Sequence, residues 1–131
     1  MKLFIIGCSS EKHTQECPVI DMYRSTRFKK NIEEAYKQSS ECFVFSGKYG
    51  LLSLTESLSP YDLNLNAMPK SYKKEMIRRV TSQLSKYTKL SSVKAVYTDT
   101  TDSYYDVIRK ALEALKFKGN IEIISSQGKN D

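Results

Sequence analysis

Apolar residues in this chain fall into two alternating kinds of pattern. Leu3–Gly7 is an unbroken apolar run, as expected of a strand buried on both faces. Residues 8–23 are polar, interrupted by Pro18 and anchored by Val19, Ile20 and Met22. From Ser25 or Thr26, either of which suits a helix cap, Phe28, Ile32, Ala35 and Tyr36 recur at helical spacing to about Ser39. Cys42–Phe45 reads as a second strand. The stretch 46–68 has no period, although Leu51, Leu52, Leu54, Leu58, Leu63 and Leu65 argue against disorder. Pro69 suits the first turn of a helix running to about Lys89, with Tyr72, Met76, Val80, Leu84 and Tyr87 as its buried stripe.

Val93–Thr98 is the third expected strand. A helix follows, capped by Thr101, Asp102 or Ser103, with Tyr104, Val107, Ile108, Ala111, Leu112 and Leu115 facing inward. Gly119 closes that connection, Ile121–Ile124 is a fourth strand, and Ser125–Asp131 reads as a frayed tail. Strand–helix alternation predicts one α/β domain over residues 1–131. It has three layers (α/β/α) and a mostly parallel sheet of about four strands.

Composition narrows the class. At 131 residues the chain suits one domain, and 40% hydrophobic with 27% charged residues suits a globular protein. No apolar run approaches the ~20 residues that cross a bilayer. The opening Met1–Gly7 is too short for a signal peptide and is followed by polar residues without a cleavage site. Cys8, Cys17 and Cys42 are odd in number and lack zinc spacing, which suggests free thiols in a reducing cytoplasm. His13 has no second histidine near it, so no metal is expected, and no organic cofactor is implied. Nothing in the pattern speaks to oligomeric state.

The net charge of +6 suggests a polyanionic partner. Arg24, Arg27, Lys29 and Lys30 form one cluster; Lys70, Lys73, Lys74, Arg78 and Arg79 form another. Lys70, Lys74 and Arg78 share a face at four-residue spacing, and with Arg79 they are the candidate contacts to a nucleic acid backbone. A solvated or membrane-surface helix would also be lysine-rich, but a position between strands favours core packing on its other side.

Two strand ends carry candidate chemistry. The first strand ends in Cys8-Ser9-Ser10-Glu11-Lys12-His13, which is neither a P-loop nor a G-x-G-x-x-G turn. It sets a thiol, two hydroxyls and a lysine where backbone amides can hold an anion. Cys8 is a candidate nucleophile where Lys12 or His13 lowers its pKa; otherwise it is a small packed residue. The second strand ends in Ser46-Gly47-Lys48-Tyr49-Gly50, whose glycines allow a sharp turn and close approach of a ligand. Twelve residues beyond Tyr49, Pro60-Tyr61-Asp62 supplies a ring and a carboxylate, with Asp62 the candidate general base. Asp99 and Asp102 read as strand-end and helix-cap residues.

In combination, Cys8-Ser9-x-x-Lys12, Met22-Tyr23-x-Ser25-x-x-Phe28, Phe45-Ser46-x-Lys48-Tyr49-Gly50-Leu51-Leu52 and Pro60-Tyr61-Asp62 resemble a family of small bacterial and phage domains. Those domains read P-C-S-x-x-K, L-Y-x-S-x-x-F, L-S-A-K-Y-G-L-L and P-Y-D. This chain departs from them at Gly7 and Gly47 and in its short C-terminal part. The pattern also resembles the core domain of archaeosine synthase, which acts on a deazaguanine base in tRNA. More distantly it is similar to YaaA-type peroxide-stress proteins, which bind DNA.

The resemblance implies an enzyme acting on a nucleobase in DNA or tRNA, by glycosidic-bond cleavage or base modification. Its pocket would be walled by Cys8–Lys12, Tyr23–Phe28, Ser46–Leu51 and Tyr61–Asp62. In that reading Tyr49 or Tyr23 stacks a base, Ser9 and Ser46 read its edge, and Asp62 orients a water. Lys12 or Lys48 holds the adjacent phosphate, and Ser10, Ser25, Gly50 and Tyr61 complete the wall. A non-catalytic nucleic-acid-binding protein and an enzyme on a free nucleotide or nucleoside are the competing expectations.

Overall fold

The first strand is buried on both sides because it is the middle of a sheet. In the computed structural model, which describes residues 1–38 and 40–124, β1 (Lys2–Gly7) is flanked by two parallel neighbours. One is β3 (Glu41–Ser46) and the other β6 (Ala95–Thr98), in register Ile5↔Phe43 and Ile5↔Thr98. Outside them lie β4 (Gly50–Leu52), antiparallel to β3, and β7 (Asn120–Ile123), parallel to β6. The order β4-β3-β1-β6-β7 makes a mostly parallel sheet of five strands rather than about four.

Alternate residues of β1 feed two cores, as the pleat requires. Leu3 and Ile5 join Phe45, Val96 and the helices α3 (Lys70–Tyr87) and α4 (Asp102–Ala114) on one face. Phe4 and Ile6 join Val44 and α2 (Thr26–Lys37) on the other. The chain is thus an α/β/α domain. Ser25 caps α2, its Oγ accepting from the Phe28 amide at 3.1 Å. Pro69 occupies the cap position of α3 rather than its first turn.

The two connections expected to be loops contain structure. Residues 8–23 hold a two-residue strand, β2 (Cys17–Pro18), and one helical turn, α1 (Val19–Met22). Residues 46–68 hold β4, the short β5 (Ser57–Leu58) paired with β2, and a 3-10 turn at Leu65–Ala67. A three-residue turn, Gly47–Tyr49, closes the β3–β4 hairpin. Gly50 follows it at φ +80°, where a Cβ would lie 2.4 Å from the Gln83 oxygen. Gln83 explains how so short an edge strand holds. Its Oε1 accepts from the Leu51 amide (2.7 Å), while Nε2 donates to Tyr49 O (3.2 Å).

Two aromatic positions expected in the core lie outside it. Tyr36 is 63% exposed, because two turns beyond Phe28 the 3.6-residue period has carried it past the sheet. Tyr87, at the end of α3, is exposed on one side and stacks on Phe43 with the other (centroids 5.7 Å apart). Ser125–Asp131, read as a tail, lies outside the described residues.

Candidate functional site

The strand order creates one crevice. From β1 the chain moves through α2 to β3 on one side, and later returns to place β6 on the other. In open α/β sheets ligands bind beyond the carboxyl ends of strands at such a switch point. There the structure has a cleft of about 540 Å³, within the range of small-ligand sites. The segment after β1 supplies Gly7, Cys8, Ser9, Ser10 and Lys12; the segment after β6 supplies Asp99, Thr100 and Thr101. Asp62, Asn64 and Asn66 come from the long connection, Arg27 from α2 and Tyr104 from α4.

The floor is a buried ion pair. The Asp99 side chain is 0% exposed and that of Arg27 is 19% exposed, with Nη1 and Oδ2 2.5 Å apart. Asp99 Oδ1 accepts from the Gly7 amide (2.8 Å), and Oδ2 also accepts from Asn31 Nδ2 (2.6 Å). Arg27 donates from Nη1 to Gly7 O (3.2 Å) and from Nη2 to Cys8 O (2.9 Å). One carboxylate and one guanidinium therefore tie the ends of β1 and β6 to the start of α2. Asp99 is more than the strand-end residue expected, and Arg27 belongs to the floor rather than to a surface cluster. Asn31 interrupts the apolar stripe of α2 because its amide serves this network.

Cys8, Lys12 and Asp62, the candidate catalytic residues, all line the cleft. Asp62 sits exposed at its rim, not in a desolvated pocket. Cys8 is half-buried and lies beside Tyr104. Burial pushes the Tyr104 hydroxyl up, Cys8 adds to this, and the Leu65 amide, donating to that hydroxyl at 3.0 Å, opposes it. Ser9 Oγ donates to Glu11 O (2.9 Å), bending the segment after β1 into the wall. Asn64 Oδ1 and Asn66 Oδ1 accept from the Asn66 and Ser103 amides, and both residues line the cleft.

The end of β3 does not open into this cleft. Ser46 is 0% exposed, and its Oγ accepts from the amides of Lys48 (3.0 Å) and Tyr49 (3.2 Å). A hydroxyl so placed braces a turn and cannot read the edge of a base. Tyr23 is 1% exposed, packed on Phe28 and hydrogen-bonded to the Tyr61 hydroxyl at 2.5 Å, so it cannot stack a ligand. Ser25 and Gly50 are likewise taken up by the cap and the hairpin. Tyr49 and Tyr61 meet edge to face, with centroids 5.5 Å apart. Two cations flank that pair: Lys12 Nζ lies 4.8 Å from the Tyr61 centroid, and Lys48 Nζ lies 5.8 Å from it and 5.2 Å from that of Tyr49. Burial pushes the Tyr23 and Tyr61 phenols up, with Cys8 adding to both.

The span from β1 to the end of β7 that builds this cleft is also the span of a family match. A family model described as a family of unknown function (DUF6884) covers residues 3–125. The chain belongs to that family. No curated protein matches it.

Every cleft residue lies inside the family match. Sequence reasoning included Arg27 within the expected Tyr23–Phe28 wall but missed Asn64, Asn66, Asp99, Thr100, Thr101 and Tyr104. The available signal was Thr98-Asp-Thr-Thr101, a polar run ending a buried strand like that after β1. Lys70, Lys74, Arg78 and Arg79 are exposed on α3, away from the cleft lining. Among the described residues no three His, Cys, Asp or Glu side chains are placed to hold a metal ion. Cys8, Cys17 and Cys42 are free thiols. No helix of the described residues is long and apolar enough to cross a membrane.

Proposed function

We propose that the switch-point cleft binds a nucleobase carried on a nucleic acid chain and that the protein is an enzyme acting on that base in the cytoplasm. The observation that carries this reading is the cleft's balance of charge. Its charged lining is Lys12 and Arg27 against Asp62 and Asp99, in a protein of net charge +6. A neutral heterocycle rich in donors and acceptors suits such a wall. Ser9, Ser10, Asn64 and Asn66 supply hydroxyls and amides to the same lining, which Tyr104 shares. The likeness of the four motifs to the archaeosine synthase core, and more distantly to YaaA-type proteins, supports the same class of substrate. Enzymes of this class take a base out of its stack before acting on it. Asp62, exposed at the rim, takes the role of orienting or deprotonating a water or an attacking group, and Cys8 and Lys12 stand beside it.

The test begins with a panel of nucleosides titrated into labelled protein, following amide shifts of Cys8–Lys12 and Asp99–Tyr104. Substrates are then sought by incubating modified-base DNA and tRNA and detecting released or mass-shifted base. Asp62→Asn keeps the size of the side chain and removes its charge. Turnover is expected to fall by about 10²–10⁴, with nucleoside affinity and thermal midpoint nearly unchanged. Equal turnover by Asp62→Asn and the unmodified protein would remove Asp62 from the chemistry.

A further inference from the structure

Helix α3 carries six of the chain's 21 Lys and Arg residues and few carboxylates to offset them. Within α3, Lys70, Lys73, Lys74, Arg78, Arg79 and Lys86 face a single carboxylate, Glu75. Only Arg78 pairs with it. Helix α4 is built in the opposite way: Arg109 and Lys110 are both paired with Asp106, and Arg109 also with Glu113. Among the described residues none of Lys12, Lys48, Lys70, Lys73, Lys74 and Arg79 has a carboxylate within 4.0 Å. A solvated face normally intersperses both signs, so a helix with this excess suits an anionic partner.

The cations are also continuous with the cleft. Arg79 Nη1 donates to Lys48 O at 2.9 Å, which fixes the Gly47–Tyr49 turn to α3. Tyr72 adds a second tie, its hydroxyl donating to Gly47 O at 2.7 Å. Lys48 then shares the Tyr61 ring with Lys12, and Lys12 lines the cleft. Through these contacts Arg79, Lys48, Tyr61 and Lys12 lead from α3 to the cleft mouth. The cleft itself is charge-balanced, so a polyanion gains little inside it and much along this path.

We propose that the exposed face of α3, together with Lys48, binds the phosphodiester backbone of a single-stranded nucleic acid, and that Lys12 marks where the chain turns a base into the cleft. The inference takes its direction from the base-binding reading of the cleft, but its backbone contact stands on charge alone. A single strand presents its bases without the unpairing and unstacking that a duplex must undergo before a base can enter the cleft. Backbone contacts of this kind carry no sequence preference and weaken steeply with salt.

The test uses fluorescence anisotropy with labelled oligo-dT, oligo-U and an abasic oligomer of the same length. Lys70→Glu/Lys74→Glu/Arg79→Glu reverses three cations on α3. Lys29→Glu/Lys30→Glu/Lys37→Glu reverses three exposed cations on α2, across the sheet, as the equal-charge control. The α3 variant is expected to bind at least about tenfold more weakly to all three probes, and the α2 variant to bind within about twofold of the unmodified protein. The milder Lys70→Gln/Lys74→Gln/Arg78→Gln, which spares the Arg79 tie to Lys48 O, is expected to flatten the log K against log salt slope by about 2. Equal weakening by the α2 and α3 reversals, or none by either, would overturn the proposal. The abasic arm separates the two readings. If it binds like oligo-dT while nucleosides leave the cleft amides unmoved, the backbone surface stands and the cleft reading fails. If nucleosides bind and the abasic strand does not, the reverse holds. Preference for oligo-U over oligo-dT would assign the partner as RNA, and the opposite preference would assign it as single-stranded DNA.

Discussion

The ends of β1 and β3 look alike in sequence and behave differently in the fold. Each is an apolar run that stops at a polar turn with serine, lysine and glycine or cysteine close together. The end of β1 is open: β6 lies beside it, and the two chains depart into α2 and α4 on opposite faces of the sheet. The end of β3 is closed: the chain reverses into β4, and Ser46 turns its hydroxyl onto the backbone it might otherwise have left free. The difference comes from what stands next to each strand. A hairpin satisfies its own turn, whereas two parallel strands that diverge leave a crevice that side chains from distant segments must line.

The largest effect is expected where the open end is held together. Arg27→Leu removes the cation and leaves the Asp99 carboxylate in a site that is 0% exposed, with Asn31 and one amide as its remaining partners. Breaking one half of a buried pair costs about 3–5 kcal/mol. Urea unfolding should show that loss, with the slope of the transition unchanged. The Arg27→Leu/Asp99→Asn double variant, which removes both charges, should recover a substantial part. A loss under about 1 kcal/mol for Arg27→Leu would mean that solvent screens the pair and that the floor is held by something else.

The sequence carried local facts well and neighbour relations poorly. The apolar run of β1, the Ser25 cap and the inward residues Val107, Ile108, Ala111 and Leu112 each follow from periodicity within a few residues. Cys8, Ser9, Ser10, Lys12 and Asp62 were legible as polar groups beside turns, and the structure gathers them. Nothing local says that the segment after β6 lies beside the segment after β1, so Asp99 read as a strand end and Tyr104 as core. Ser46 and Tyr23 failed for the converse reason. Both have suitable chemistry, and only the hairpin and the Tyr61 hydroxyl show that it is already used.

An intermediate effect is expected on raising pH, and it tests the closed end. Burial holds the Tyr23 and Tyr61 phenols above the ordinary value of 10.0. Cys42 is pushed up from 9.0 to about 12 by burial, with the Asp99 charge adding to it. These groups keep their protons in the folded state after the unfolded chain has lost them. Their contribution is therefore fully present below pH 9, begins to fall as Cys42 ionises in the unfolded chain, and falls faster above pH 10. Each proton is worth about 1.4 kcal/mol per pH unit in that window. Stability measured from about pH 8 to pH 11 should stay level and then fall, with tyrosinate absorbance of Tyr23 and Tyr61 appearing together with unfolding. Tyrosinate appearing in the folded protein near the ordinary value at both residues would mean that the closed end admits water.

The smallest effect sharpens the comparison most directly, because it deletes the same oxygen at both ends. Ser46→Ala removes, at a fully buried position, the oxygen that accepts from both the Lys48 and Tyr49 amides. A buried donor left unsatisfied costs about 1–3 kcal/mol. Ser9→Ala removes a hydroxyl that donates to Glu11 O at 2.9 Å, but Ser9 is half-exposed and Glu11 is exposed, so water replaces the lost partner. That change should stay within about 0.5 kcal/mol, as surface substitutions generally do. The two variants, unfolded side by side in urea at one pH, give the contrast without reference to any ligand. Equal costs would mean that the end of β1 is as closed as the end of β3, and the cleft would then lose its claim to be the part of the fold kept open for chemistry.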